Sequence, residues 1–157
     1  MNGPRRRSRE VALQVLHALD VSPELGAEAA LARTFEHLVT ARGLVEDEDA
    51  FGSGDALPAR PDRGLVEELV RGVATHQAEL DEALARISRN WRVERMAVVE
   101  RNIIRLALWE LLHAPNVPVA VVINEAVELA KRFGTAEGAA FVNGLLDRGV
   151  TELEIRR

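Results

Sequence analysis

The sequence predicts an all-α fold of six or seven helices with no β-sheet. Apolar residues recur at intervals of three and four along most of the 157 residues. No segment keeps the two-residue alternation of a half-buried strand. Between Ile103 and Leu112 eight of ten residues are apolar, interrupted only by Arg105 and Glu110, so a helix there should be covered on most sides. That run falls well short of the roughly 20 apolar residues that span a bilayer, and it reads as the central helix of a helical domain. The length fits one domain, 1–157, with a sizeable core.

In chain order, residues 5–20 form an amphipathic helix with Val11, Ala12, Val15, Leu16 and Leu19 on one side. Arg5, Arg6, Arg7 and Arg9 crowd its start, against the partial positive charge of a helix N-terminus, which favours acidic residues there by roughly 0.3–1 kcal/mol each. Ser22-Pro23 supplies a hydroxyl and a first-turn proline for a second helix over about 23–42, with Gly43 as its stop. Residues 44–62 combine the acidic run Glu46–Asp49 with Gly52-Ser53-Gly54, Pro58 and Pro61 and read as a flexible loop. Asp62 is placed to cap a third helical stretch carrying Leu65, Val66, Leu69, Val70 and Val73, and Leu80, Ala83, Leu84 and Ile87 continue it to about Asn90. This is either one kinked helix or two. The central helix follows over Val93–His113 and is broken at Pro115. The next helix opens at Asn116–Pro118, carries the stripe Val119, Val122, Ile123, Ala126, Val127 and Ala130, and ends at Lys131-Arg132 with Gly134 as a left-handed stop. Thr135 caps the last helix, which ends near Gly149. Asn124, Asn143 and Gly144 are costly inside helices. Their simplest roles are close helix approach at Gly144 and hydrogen bonding to buried backbone by the asparagines, with ligand contact an equal alternative for Asn143.

The net charge of −5 does not point to nucleic acid, but the N-terminal arginines are a local basic cluster. Without cysteine there are no disulfides, thiolate metal sites or cysteine nucleophiles. Glu10, Gln14, His17 and Asp20 interrupt any signal-like run after the basic start, so a cytoplasmic location is expected. His17, His37, His76 and His113 are dispersed. His17/Asp20 and His76/Glu79 have helical ligand spacing, which arises readily by chance, so no metal site is expected. No serine stands in a nucleophile elbow. No catalytic residue and no cofactor emerge.

Four segments together resemble the NusB family of transcription antitermination factors: RRRSREVALQVL at 5–16, ERNIIRLALWEL at 100–111, VPVAVVINEAVELAKRFG at 117–134 and FVNGLLD at 141–147. The likeness covers nearly the whole chain outside residues 44–62. It implies two packed small helical bundles, no enzymatic activity and a cytoplasmic role in ribosomal RNA transcription. It further implies pairing with the ribosomal protein NusE, binding of single-stranded boxA RNA on nascent transcripts, and action on the transcription elongation complex. Carried over residue by residue, Arg5, Arg6, Arg7 and Arg9 would meet RNA phosphates. Phe133, Glu137 and Phe141 would line the other side of the RNA path, and Glu100 and Arg105 would contact the partner. Two positions depart from the family pattern: His17 stands where an aromatic ring is common, and Ala140 where a basic residue is. The alternatives are a protein-binding helical adaptor or homodimer, and a detached RNA-targeting module akin to the NusB-like domain of some rRNA cytosine methyltransferases.

Overall fold

The computed structural model describes residues 3–48, 59–89 and 91–156, with side chains of the second helix described to residue 41. Seven α-helices and no strand occur among the described residues: α1 Pro4–Val21, α2 Ala27–Glu48, α3 Arg63–Thr75, α4 Gln77–Ile87, α5 Val98–His113, α6 Val119–Phe133 and α7 Ala136–Glu152. They fall into two compact units, residues 1–70 and 71–157.

In the first unit α1 packs on α2. Val11, Ala12 and Val15 are completely buried on α1, and Ala30, Leu31 and Phe35 supply the apolar face of α2. Pro4 opens α1 beside an extended Gly3, where a proline's missing N–H is not needed. The second helix departs from expectation at both ends. Pro23–Leu25 form a short 3₁₀ turn, and Gly26 takes φ +79°, a left-handed conformation that a side chain disfavours. The α-helix therefore starts after Gly26 and passes through Gly43 to Glu48, so residues 44–48, expected as loop, are helical. A single interior glycine costs about 1 kcal/mol, too little to end a helix by itself. Residues 49–58, with the Gly-Ser-Gly segment, lie outside the described residues. Asp62 caps α3 as expected, its Oδ1 accepting from the Leu65 N–H at 3.2 Å. Ser8 Oγ donates to the Pro4 carbonyl at 2.6 Å and accepts from the Asp62 N–H at 2.8 Å, fixing the entry of α3 against α1.

The second unit is organised around α5, whose residues Asn102–Leu111 are all buried, as the apolar run 103–112 predicts. Helices α4, α6 and α7 pack against it. The helical stretch before it is two helices, broken at His76. The central helix begins at Val98 and not at Val93: residues 93–95 form a 3₁₀ turn, and Met96 and Ala97 are extended. This places the Met96 side chain, 7% exposed, in the core. Gly134 ends α6 in an extended conformation (φ −120°, ψ −140°) and not the expected left-handed one. Thr135 then caps α7 through Oγ1, which accepts from the Gly138 N–H at 2.9 Å.

Gly144 faces open space and permits no close helix approach, whereas at Gly72 a Cβ would overlap the Trp109 indole. Asn124 and Asn143 are exposed and border a shallow groove with Ile123, Val127, Lys131 and Ala140. They do not serve buried backbone groups.

Candidate nucleic-acid interface

In the first unit the basic residues occupy the opening turns of α1. Arg5 is exposed, Arg6 and Arg7 are partly so, and Arg9 is 4% exposed. Arg7 reaches Glu10 at 3.2 Å, and Glu10 is itself buried. The cluster thus divides: Arg5 is exposed and Arg6 partly so, Arg7 is largely covered and paired with Glu10, and Arg9, expected to meet a phosphate, is part of the packing.

In the second unit Phe133, Glu137 and Phe141 follow at four-residue spacing across the α6–α7 junction. Phe133, the last residue of α6, is 38% exposed, with the Arg132 guanidinium 5.4 Å from its ring centroid. Glu137 is exposed in the first turn of α7, and Phe141 lies one turn on, half-buried. The Trp91 ring meets Phe141 edge-on, centroids 6.2 Å apart and planes at 69°. Trp91 is 58% exposed and is held by Ser88, whose carbonyl accepts its N–H at 2.7 Å and whose Oγ donates to its carbonyl at 2.9 Å. Arg89, Arg92 and Val93 border a shallow pocket beside it, and Arg89 is paired with Glu152.

Trp91 is the residue that motif reasoning missed. An exposed tryptophan between Arg89, Arg92 and Arg95, in a segment lacking helical periodicity, was the available signal. Indole and phenyl faces beside arginines suit stacking of unpaired bases, which is worth roughly 1–3 kcal/mol per base.

The two expected partner contacts separate. Glu100 is partly exposed in the first turn of α5, with its Oε1 against Gly138 where any Cβ would meet it. The glycine leaves room for the carboxylate beside the first turn of α7, where a helix N-terminus favours negative charge. Arg105 is 6% exposed. Its Nε and Nη2 donate to the two carboxylate oxygens of Asp81 at 2.7 and 3.0 Å, and its Nη1 donates to Asn102 Oδ1 at 3.2 Å. This fork-to-fork pair ties α4 to α5. The structure reassigns Arg105 from the expected contact surface to helix packing, because its guanidinium is already enclosed and engaged.

The NusB family profile matches residues 6–150. The chain is 45% identical over 148 residues to the transcription antitermination protein NusB of Anaeromyxobacter dehalogenans, covering 94% of this chain and 91% of that one. Against NusB of Myxococcus xanthus identity is 44% over 146 residues, covering 93% and 94%. Among solved structures, NusB of T. maritima superposes with a TM-score of 0.76 at 29% identity, over 97% of this chain and 94% of that chain. A chain from the complex of antitermination factors NusB and NusE with dsRNA shares the fold, at a TM-score of 0.69 and 23% identity over 94% and 96%. With a family match over almost its full length and relatives at 44–45% identity, the chain belongs to the NusB family.

Proposed function

We propose that this chain is a non-catalytic RNA-binding subunit of transcription antitermination that pairs with a NusE-type ribosomal protein on boxA RNA of nascent ribosomal transcripts. The observation that carries this is the 45% identity to an antitermination protein over nearly the whole chain. It is supported by an exposed arginine-led helix start in one unit and an exposed aromatic set in the other. In one solved complex of the same fold, antitermination factors NusB and NusE stand together with dsRNA. The RNA-facing set is Arg5, Arg6, Arg7, Phe133, Glu137 and Phe141, to which Trp91 is added. Glu100 faces the protein partner, and Arg9 and Arg105 act behind these surfaces by holding their helices in place.

Arginine contacts to phosphate release counterions, so affinity falls with salt in proportion to their number, with a logarithmic slope of about 0.7 per contact on single strands. The combined change Arg5→Ala and Arg6→Ala is therefore expected to flatten the salt dependence of boxA RNA binding by up to about 1.4, as measured by fluorescence anisotropy across a salt series. An unchanged slope would remove these arginines from the interface. A net charge of −5 opposes tight binding by the chain alone, and a basic partner supplies the missing attraction.

No described helix is long and apolar enough to cross a membrane. The role belongs to the compartment in which RNA is transcribed.

A further inference from the structure

Three potential ligands, dispersed in the sequence, converge at one end of the second unit. His76 is the junction residue between α3 and α4, Glu79 lies in the first turn of α4, and His113 is the last residue of α5. One ligand atom from each lies within 4.8 Å of the others. The imidazoles of His76 and His113 are in contact, with centroids 4.2 Å apart and planes at 33°, and His113 Nε2 is 3.0 Å from Glu79 Oε1.

From this geometry we infer a site for a borderline divalent transition metal of the zinc type, with His76, Glu79 and His113 as ligands. Neither the family relationship nor the RNA-binding reading involves it. Two imidazoles and a carboxylate are a donor set that such ions take in three-ligand sites, leaving the fourth position of a tetrahedron to water. The ligand atoms around such an ion stand a little over 3 Å apart for metal–ligand bonds of about 2.0–2.1 Å. The His113–Glu79 pair is already near that separation, and ordinary rotamer adjustment supplies the rest.

The arrangement behind the ligands points the same way. His76 Nδ1 lies 2.8 Å from the Gly72 carbonyl. A carbonyl only accepts, so Nδ1 carries the proton and the lone pair of the neutral ring sits on Nε2. A backbone carbonyl that fixes the tautomer in this way is the usual second contact of a metal-bound histidine. The His113 ring is buttressed on its other side by Trp109, stacked with centroids 6.2 Å apart. The C-terminal end of α5 lies at the cluster, where its partial negative charge favours a cation, while the opposed end charges of α3 and α4 meet at His76 and offset each other. On binding, the proton shared between His113 Nε2 and Glu79 leaves to solvent or moves to Nδ1, and the metal takes its place.

The test is calorimetric titration of the untagged full chain with zinc chloride, alongside the His76→Gln and His113→Gln variants. One equivalent is expected to bind, with at least about a tenfold loss of affinity in each variant. The variants should show unchanged circular dichroism melts in the absence of metal. Equal binding by wild type and both variants, or weak binding at several equivalents in all chains, would assign the zinc to scattered surface carboxylates and overturn the site. A second measurement does not depend on the histidine variants folding. In a Trp91→Phe chain Trp109 is the only indole, and copper(II) bound at His113 should quench its fluorescence, saturating at one equivalent. The absence of saturable quenching would also overturn the proposal.

Discussion

The substitution Gly72→Val is expected to lower the unfolding free energy by about 2–3 kcal/mol, measured by urea denaturation followed by circular dichroism. Even a methyl group at position 72 would overlap the Cε2, Nε1 and Cζ2 atoms of Trp109. The indole is a poor candidate for yielding, since it is 7% exposed in a helix whose neighbouring residues are all buried. Either α3 must move from the ring or the ring must leave its well, and overpacked cores lose typically 1–3 kcal/mol in this way. Valine recovers only a few tenths of a kcal/mol through its better helix propensity than glycine. The strain is specific to the pair, so trimming the partner should relieve it. Trp109 Nε1 is buried with no hydrogen-bond partner among the described residues, and replacing the indole by a smaller ring forfeits no such bond. A double-mutant cycle of Gly72→Val with Trp109→Phe should therefore show a favourable coupling. Additive losses would mean that the contact is not what excludes a side chain at position 72.

The substitution Arg105→Met is expected to cost about 2–3 kcal/mol. Methionine retains much of the stem's packing but abandons a bidentate pair at 2.7 and 3.0 Å together with the Asn102 contact. Removing one member of a fully buried pair costs about 3–5 kcal/mol because the other charge is stranded. The Asp81 side chain is 31% exposed and retains some hydration, which brings the expected loss below that range. At temperatures where the variant is folded, its affinity for the protein partner should match the wild type, whereas Glu100→Ala should weaken it. Unchanged stability with lost partner binding would return Arg105 to the contact surface.

These two residues also mark where sequence reasoning stopped. Helical periodicity located α1, α6 and α7 closely because each has one solvated face and one apolar stripe, and the caps at Asp62 and Thr135 follow from local chemistry alone. Positions whose role depends on a distant neighbour were not legible. Gly144 drew attention by its cost inside a helix yet meets nothing, while Gly72, in an unremarkable stretch, carries the close contact. Arg105 reads as a polar break in an apolar run, and only the placement of Asp81, 24 residues earlier, makes it a packing residue. His76 and Glu79 have ligand spacing that means little until the fold delivers His113 beside them. Within the candidate interface, Arg5, Phe133 and Glu137 are exposed. Trp91 needed the fold to set it against Phe141.

This acidic chain is expected to bind RNA as half of a pair. The most direct measurement is the affinity of fluorescently labelled boxA RNA for the chain at fixed salt, with and without a stoichiometric NusE-type partner. Binding should be weak alone and gain at least about tenfold with the partner, equivalent to about 1.4 kcal/mol of coupling. Equal affinity in both conditions would contradict it.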